Sequence, residues 1–360
     1  MRQGLNLSNT EMGAIATGNL SGYLLTSVAA GYLTIRYRAR SIMLFSLMVL
    51  AASLALTGLA NTFAGALLLQ TLVGAGSAGC VVTALGLVSS SLPQWARGRV
   101  TGLVVGGAGV GQIVAGWLML VLQVPAHAIG WRYGWFALGA AVLLTAIVPY
   151  TLFRSTDRPA AADEANPKPI AWSDIYRNSL VLVLAFISVF FALSFAGYNT
   201  FFVEFLISDA RLSGEAANWH WQLVGIAGAF SGPCWGWLSD VWNRKASLFL
   251  VFLSLALAII LGVYGGSTAF ILSALLFGFT MWSSLVIIVA IYGDQLSPRL
   301  TSAALGINIL IFGFGQIAGV TIVGHIADVS GSFVPAFTIA AGVALLGLVL
   351  TLFLKQPHQS

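Results

Sequence analysis

Charge is what this sequence has least of. Of its 360 residues only 8% are Asp, Glu, Lys or Arg, against about 25% in soluble chains. That shortage excludes a soluble globular enzyme, and no stretch is polar enough to stand as a soluble domain beside a membrane anchor. Proline is scarce, at 10 residues, and the two cysteines, Cys80 and Cys234, both lie in apolar runs. A disulfide-built secreted module and a disordered chain are excluded with them, and the cysteines read as small core residues. What the chain does have is apolar surface: 58% of the residues, with 40 glycines among the rest. The net charge of +5 is read as basic loops on one side of a membrane, so the lipid bilayer is an expected partner and nucleic acid is not.

The runs free of Asp, Glu, Lys and Arg are 12–35, 41–96, 100–131, 133–153, 178–203, 216–239, 246–293, 300–327 and 329–354. A membrane-spanning helix takes roughly 20 apolar residues. Runs 41–96 and 246–293 can each hold two spans, breaking at Asn61-Thr62 and at Gly265-Gly266-Ser267-Thr268, which are turn-type clusters. The expected count is eleven spans. Continuous apolar runs fit helices rather than the alternating strands of a barrel, so the expected class is an all-α polytopic membrane protein. Met1 to Thr10 lacks the apolar core of a signal peptide. Ser8-Asn9-Thr10-Glu11 reads instead as a helix start, with Ser8 the cap and Glu11 its reciprocal partner.

Basic residues set the expected orientation. Loops sharing one side hold Arg36, Arg38, Arg40, Arg97, Arg99, Arg154, Arg158, Lys168, Arg177, Arg244, Lys245, Arg299 and Lys355, thirteen of the sixteen. The other side has Arg2, Arg132 and Arg211. The positive-inside rule places the first group and the C-terminus in the cytoplasm, and eleven spans then place Met1 outside. The one long hydrophilic connection carries Pro159, Pro167 and Pro169. The expected organisation is an N-terminal bundle of five spans over 1–154, a cytoplasmic linker over 155–176, and a C-terminal bundle of six spans over 177–360.

The two halves repeat. Gly102-Leu103 and Gly109-Val110-Gly111-Gln112-Ile113 match Gly306-Ile307 and Gly313-Phe314-Gly315-Gln316-Ile317 at an offset of 204 residues. Ser27 to Leu33 matches Gly232 to Leu238 at an offset of 205, and basic residues follow each copy. Repeated helical halves are a transporter plan, with binding near the midplane between them. The span at 178–206 would find its partner before Met1. The expectation is therefore a 6+6 design in which one N-terminal helix is missing, through a misplaced start, a truncated gene or a true eleven-span variant.

These residues resemble the major facilitator superfamily, over essentially the whole chain. Its signature loop reads roughly G-x-L-x-D-R-x-G-R-R. The second copy here, Gly236-Trp237-Leu238-Ser239-Asp240-Val241-Trp242-Asn243-Arg244-Lys245, matches well, whereas the first, Gly31 to Arg40, has Ile35 in the acidic position. Gly313–Gly319, Gly324-His325-Ile326-Ala327-Asp328, Gly331-Ser332-Phe333, and Gly197-Tyr198 with Thr200-Phe201 resemble the YbfB/YjiJ-like group. Gln70 stands four residues before Gly74, where the family often carries an arginine, so that arginine's proton-linked role is not carried over. The resemblance implies two pseudo-symmetric helical bundles, eleven helices being visible of twelve, and alternating access in the cytoplasmic membrane. It also implies that the loop signature is a cytoplasmic latch: Gly31, Arg36, Arg40, Gly236, Asp240, Arg244 and Lys245, with Arg299 as a partner for Asp240. A solvated loop charge is the plainer reading of Asp240.

Eight residues are candidate substrate contacts. Gln112 and Gln316 are paired amides in the glycine-rich spans; they either bond a neighbouring helix or face substrate, because an unpaired amide in lipid is costly. Asn308 lies two turns before Gln316. Tyr198 and Asn199 interrupt a long apolar span, with Ser194 one turn before. Asn19 and Tyr23 share a face of the first visible span. Trp282, deep in its span, stacks on a ligand or packs the core. Glu204 is the carboxylate nearest a span interior and a candidate for proton coupling, against the plainer reading of a wet carboxylate. The glycine ladders, including Gly228, Gly232 and Gly236, are read as close helix crossings. No metal-ligand spacing, nucleophile–base pair or phosphate loop is visible, so neither a cofactor nor an enzymatic activity is expected. The expected function is a monomeric secondary transporter of a small molecule, proton coupling being a family expectation. The alternative is a transport-inactive sensor or scaffold with a degenerate version of the same fold.

Overall fold

The computed structural model describes residues 1–91, 107–118, 121–122, 130–152, 178–296 and 298–354. All regular structure among them is helical. In chain order the helices are α1 Arg2–Leu5, α2 Asn9–Arg36, α3 Ala39–Thr57, α4 Phe63–Ser91, α5 107–118, α6 Gly130–Thr145 and α7 Ile147–Leu152, then α8 Ser179–Ser208, α9 Gly214–Val241, α10 Arg244–Tyr264, α11 Ser267–Thr280, α12 Ser283–Gln295, α13 Pro298–Ser330 and α14 Val334–Leu352.

Eight helical segments among the described residues are long and apolar enough to cross a bilayer: Ala39–Thr57, Phe63–Ala84, Gly130–Tyr150, Ser179–Ser208, Arg244–Tyr264, Ser267–Gln295, Ala304–Ser330 and Val334–Leu352. The sequence predicts eleven. Two of the other three, α2 and α9, have 28 residues each, about 42 Å at 1.5 Å per residue. Length suffices there; glycine, serine and amide side chains lower their hydropathy. Of the remaining run, 100–131, the described residues include α5 at 107–118, too short to be counted as a span, and the linker at 155–176 lies outside the described residues. The expected turns are in place, with α3 ending at Thr57 before α4 begins at Phe63, and α10 ending at Tyr264 before Ser267.

Ser8 caps α2 as its sequence predicts. Its hydroxyl accepts from the Glu11 amide at 3.1 Å, and the Glu11 carboxylate accepts from the Ser8 amide at 2.9 Å, so two orphan donors of the first turn are met at once.

The chain divides into two compact units, Met1–Val105 with Val114–Pro167, and Gly106–Ile113 with Lys168–Ser360. In the first unit α4 packs along both α2 and α3, and α3 packs on α6. Lipid is as apolar as leucine, so close backbone approach holds such helices together rather than hydrophobic burial. The approach is tight: a Cβ on Gly22 would lie 2.0 Å from the Thr71 carbonyl oxygen, and one on Gly74 would lie 1.9 Å from that of Asn19.

In the second unit α8 packs on α13 and α14, α9 on α11, and α10 on α11 and α14. A Cβ on Gly319 would meet the Leu193 carbonyl oxygen at 2.5 Å. The contact between α8 and the start of α14 is aromatic, with ring centroids 5.2 Å apart for Phe201 and Phe333, the N-cap residue, and 5.3 Å for Phe205 and Phe337. Such pairs are worth about 0.5–1.5 kcal/mol each. Asp209, just past α8, accepts from the Ser332 hydroxyl at 2.7 Å and the Phe333 amide at 2.8 Å. It thereby closes the N-terminal end of α14 with a carboxylate, which the helix dipole favours.

Candidate functional site

The signature loop is built at the junction of α9 and α10. Asn243 caps α10 through bonds from the amides of Lys245 and Ala246, which places Arg244 in the first turn facing back along α9. The Arg244 guanidinium there bonds Asp240, one turn earlier on α9, and the Ser239 hydroxyl at 2.8 Å. Its Nε donates to Asp294 Oδ2 at 2.9 Å, at the end of α12. One cation thus holds the ends of three helices. Lys245 donates to the Leu352 carbonyl at 2.6 Å, filling the electronegative C-terminal end of α14.

The first unit keeps half of this arrangement. Arg40 donates to the Tyr150 carbonyl at 2.8 Å and lies 4.9 Å from the centre of its ring. Arg40 and Lys245 are 205 residues apart, the repeat offset, and each bonds a carbonyl near the end of its unit's last described helix. Where the second unit has Asp240 and Arg244, the first has Ile35 and Ala39, so the two equivalent positions cannot form that ion pair. The surroundings of Gly31 and the side chains of Arg36 and Arg299 lie outside what the structure describes. Asp294, the second carboxylate of the cluster, is the member that sequence reasoning misses. Its only signal is that it ends the charge-free run 246–293.

Several candidate substrate contacts are engaged within the protein. Asn19 donates to the Gln70 carbonyl at 3.1 Å and to Gln70 Oε1 at 3.3 Å, and Gln70 Nε2 reaches Thr57 at 3.4 Å. This chain of amides joins α2, α4 and α3, and gives Gln70 a structural occupation. Tyr23 is half-buried on α2. Asn308 is 1% exposed and exchanges bonds with Ser188 Oγ at 3.1 and 2.9 Å, with Tyr292 Oη at 3.4 Å. Tyr198 is fully buried; its hydroxyl lies 2.7 Å from Ser273 Oγ, and its ring sits against Phe202, Phe277 and Phe337. Ser194 bonds its own helix at the Phe190 carbonyl, so the Ser194–Tyr198 stripe faces protein.

Others keep free polar atoms. Asn199 Oδ1, Gln112 Nε2 and Trp282 Nε1 are buried without a hydrogen-bond partner, and so are Gln222 Nε2 and Ser284 Oγ, which the sequence reading does not single out. Gln316 is half-buried on α13 beside the Gly315 and Gly319 crossing, and Glu204 is half-buried near the end of α8.

Trp282 sits where the span Ser267–Gln295 is broken. Helix α11 stops at Thr280 and α12 starts at Ser283. Neither glycine nor proline stands at the break. Helix α9 stabilises it from outside: Ser231 Oγ accepts from the Trp282 amide at 3.1 Å, and Trp235 Nε1 donates to the Phe279 carbonyl at 2.8 Å. Ser231 and Trp235 are one turn apart, so a single face of α9 satisfies one backbone group on each side of the interruption. Pro233 lies inside that same stretch of α9, where it removes an intrahelical bond.

The comparisons with known proteins agree with this architecture. Residues 1–352 match the family described as the uncharacterised MFS-type transporter YbfB. The hexuronate transporter of Bacillus subtilis is 22% identical over 374 residues, covering 98% of this chain and 87% of the relative. The fosmidomycin resistance protein of Escherichia coli is 27% identical over 363 residues, covering 98% and 85%. Among solved structures, a point mutant of the nucleoside transporter NupG superposes with a TM-score of 0.80 at 13% identity, over 97% of this chain and 91% of that one. A bacterial homologue of the human lysosomal transporter Spinster, inward-facing and occupied, gives 0.75 at 16% identity, over 98% and 88%. The fold is that of these transporters, and neither family nor neighbours are enzymes. With its helical repeat, its signature loop at Gly236–Lys245 and a family match spanning nearly every residue, the chain is a multi-pass membrane protein that belongs to the major facilitator superfamily of transporters.

Proposed function

We propose that the protein is a secondary active transporter that carries a small molecule across the cytoplasmic membrane by alternating access, with its C-terminus in the cytoplasm and a monomer as the working unit. The observation that carries this reading is the suspension of α12. One end is joined to α11 through an interruption held by Ser231 and Trp235 of α9. The other end is held by Arg244 of α10 through Asp294. The Asp294 attachment is part-exposed and can be made and released at small cost, while the buried bonds of Ser231 and Trp235 fix the interruption, so α12 has one firm end and one releasable end, which suits a helix that moves between two states.

In this reading Asp240, Arg244 and Asp294 form the cytoplasmic latch, with Gly236 and Lys245 placing its helices and Arg40 serving the first unit. Gly31, Arg36 and Arg299 remain candidates of the same latch from the sequence. Substrate contact falls to residues with free polar atoms, Gln112, Asn199 and Trp282, and to Gln316 as the repeat partner of Gln112. Asn19, Tyr198 and Asn308 act by holding helices together. Proton coupling, where it operates, draws on Glu204. The relatives are named for a hexuronate and for fosmidomycin resistance, and one structural neighbour for nucleosides, so polar, oxygen-rich organic molecules are the first class to try.

A second reading, a sensor or scaffold without transport, draws on Ile35 in the acidic position of the first signature copy and on Gln70 where the family often carries an arginine. The test is uptake by proteoliposomes carrying the full chain, offered labelled glucuronate, glucose, uridine and gluconate in separate assays. The proposal expects at least one to accumulate faster than in empty liposomes, and Arg244→Ala to slow it several-fold. Rates equal to empty liposomes for all four would favour the sensor.

A further inference from the structure

The break between α11 and α12 holds more than a hinge. It lies midway in its span: Trp282 is 15 residues from Ser267 and 13 from Gln295, or about 22 and 20 Å of helix rise. A helix that starts at mid-depth brings its positive end into the apolar interior. No side chain caps that start from within α12, and one donor there, the Trp282 amide, is taken by Ser231.

Two side chains at that start, or within two residues of it, keep donors without a partner. Trp282 Nε1 and Ser284 Oγ are both buried without a partner, and Ser284 is 2% exposed. An indole N–H can only donate. An unmatched buried donor costs about 1–3 kcal/mol, so its presence at a helix start of this kind calls for an acceptor that arrives from elsewhere.

The packing against α9 differs on the two sides of the break. Above the break α11 is pressed on α9, where a Cβ on Gly278 would lie 2.3 Å from the Val224 carbonyl oxygen. Beside and below the break, Cβ atoms on Gly232 and Gly236 would reach Val286 of α12 at 3.8 and 3.4 Å, ordinary contact distances. Backbones of α9 and α11 therefore approach closely at Gly278, while the glycines of α9 that face α12 leave room for about a methyl group.

We propose that this interruption is the place where the transporter reads its substrate. An electron-rich oxygen, a carboxylate above all, accepts hydrogen bonds from Trp282 Nε1 and Ser284 Oγ at the positive end of α12. The substrate class is a small organic acid. Because the far end of α12 is held by Arg244, an anion drawn to the near end acts on the same half-helix as the latch. This rests on the transporter reading and narrows it.

The test uses the full chain in nanodiscs and three probe pairs that differ only in carboxylate against alcohol: glucuronate and glucose, gluconate and sorbitol, benzoate and benzyl alcohol. Binding is read by calorimetry and by ligand-induced melting shift. The expected result is that at least one acid binds, with its alcohol partner weaker by about tenfold or more. Trp282→Phe and Ser284→Ala each weaken that acid by about tenfold, Ser284→Thr restores it, and the ligand-free melting temperatures of the variants serve as the control for folding. The proposal is overturned if no acid binds, if the alcohols bind equally well, or if both variants bind the acid as the parent does. Uptake of any compound that is unaffected by Trp282→Phe and Ser284→Ala would leave the transporter reading standing and remove this one.

Discussion

Tyr198 offers a sharp test of how these residues divide between structure and transport. From the sequence it is a substrate candidate; in the fold its hydroxyl is paired with Ser273 in a fully buried contact between α8 and α11. Tyr198→Phe removes the hydroxyl and leaves the Ser273 oxygen, which is 0% exposed, without its partner. An orphaned buried hydroxyl costs about 1–3 kcal/mol. For a bundle of this size about 2 kcal/mol corresponds to a fall of roughly 4–8 °C in melting temperature. Ser273→Ala should cost a similar amount, and the double variant no more than either single one, because removing both partners is close to neutral. The assay is thermal unfolding in nanodiscs, run beside uptake kinetics on each variant. If Tyr198 is structural, KM stays near the parent value while stability falls. A raised KM with unchanged melting, or costs that simply add in the double variant, would refute the reasoning.

Gly74→Val should abolish folded yield or lower the melting temperature sharply, since a Cβ there would lie 1.9 Å from the Asn19 carbonyl oxygen. Gly111→Ala and Gly306→Ala meet nothing within 4 Å and should be neutral or stabilising by up to about 1 kcal/mol, as melting curves would register. Asp294→Asn should change global stability by no more than about 1 kcal/mol, because Asp294 is 47% exposed and Arg244 26% and such pairs are weak. The same small energy can shift a balanced two-state equilibrium about fivefold, visible as a changed ratio of conformers. Asp209→Ala should uncap α14 at a cost of about 1–2 kcal/mol and raise hydrogen exchange in its first turn, while exchange in α10 stays as it was.

Much of the fold is legible in the sequence because membrane helices answer to local rules. The turns at Asn61-Thr62 and at Gly265-Gly266, the Ser8–Glu11 cap and the signature around Asp240 are all written in consecutive residues. The break at Met281–Trp282 is not. It has no glycine or proline, and the groups that sustain it, Ser231 and Trp235, lie about fifty residues away on another helix. The cluster Thr280, Ser283 and Ser284 is the one local hint, since hydroxyls compete for helix carbonyls; Ser283 does bond the Thr280 carbonyl, at 2.6 Å. Polar residues in the spans are likewise ambiguous in sequence. Asn308 and Gln112 look alike there, yet one amide is matched by Ser188 and Tyr292 and the other keeps a free end. Only the tertiary partner decides, and a sequence does not name it. Asp294 escapes for the same reason, as its meaning depends on Arg244 coming to meet it.

Alternating access, as proposed, requires that the chain exchange between conformations and that the Arg244 cluster bias their ratio. The most direct measurement is electron–electron distance spectroscopy on the full chain in nanodiscs. Spin labels go on cysteines placed by Tyr37→Cys and Trp242→Cys, which are exposed by 54% and 63%, in a background of Cys80→Ala and Cys234→Ala. The account predicts two resolved distance populations whose ratio shifts several-fold with Arg244→Ala. A single population that Arg244→Ala leaves unmoved would contradict it.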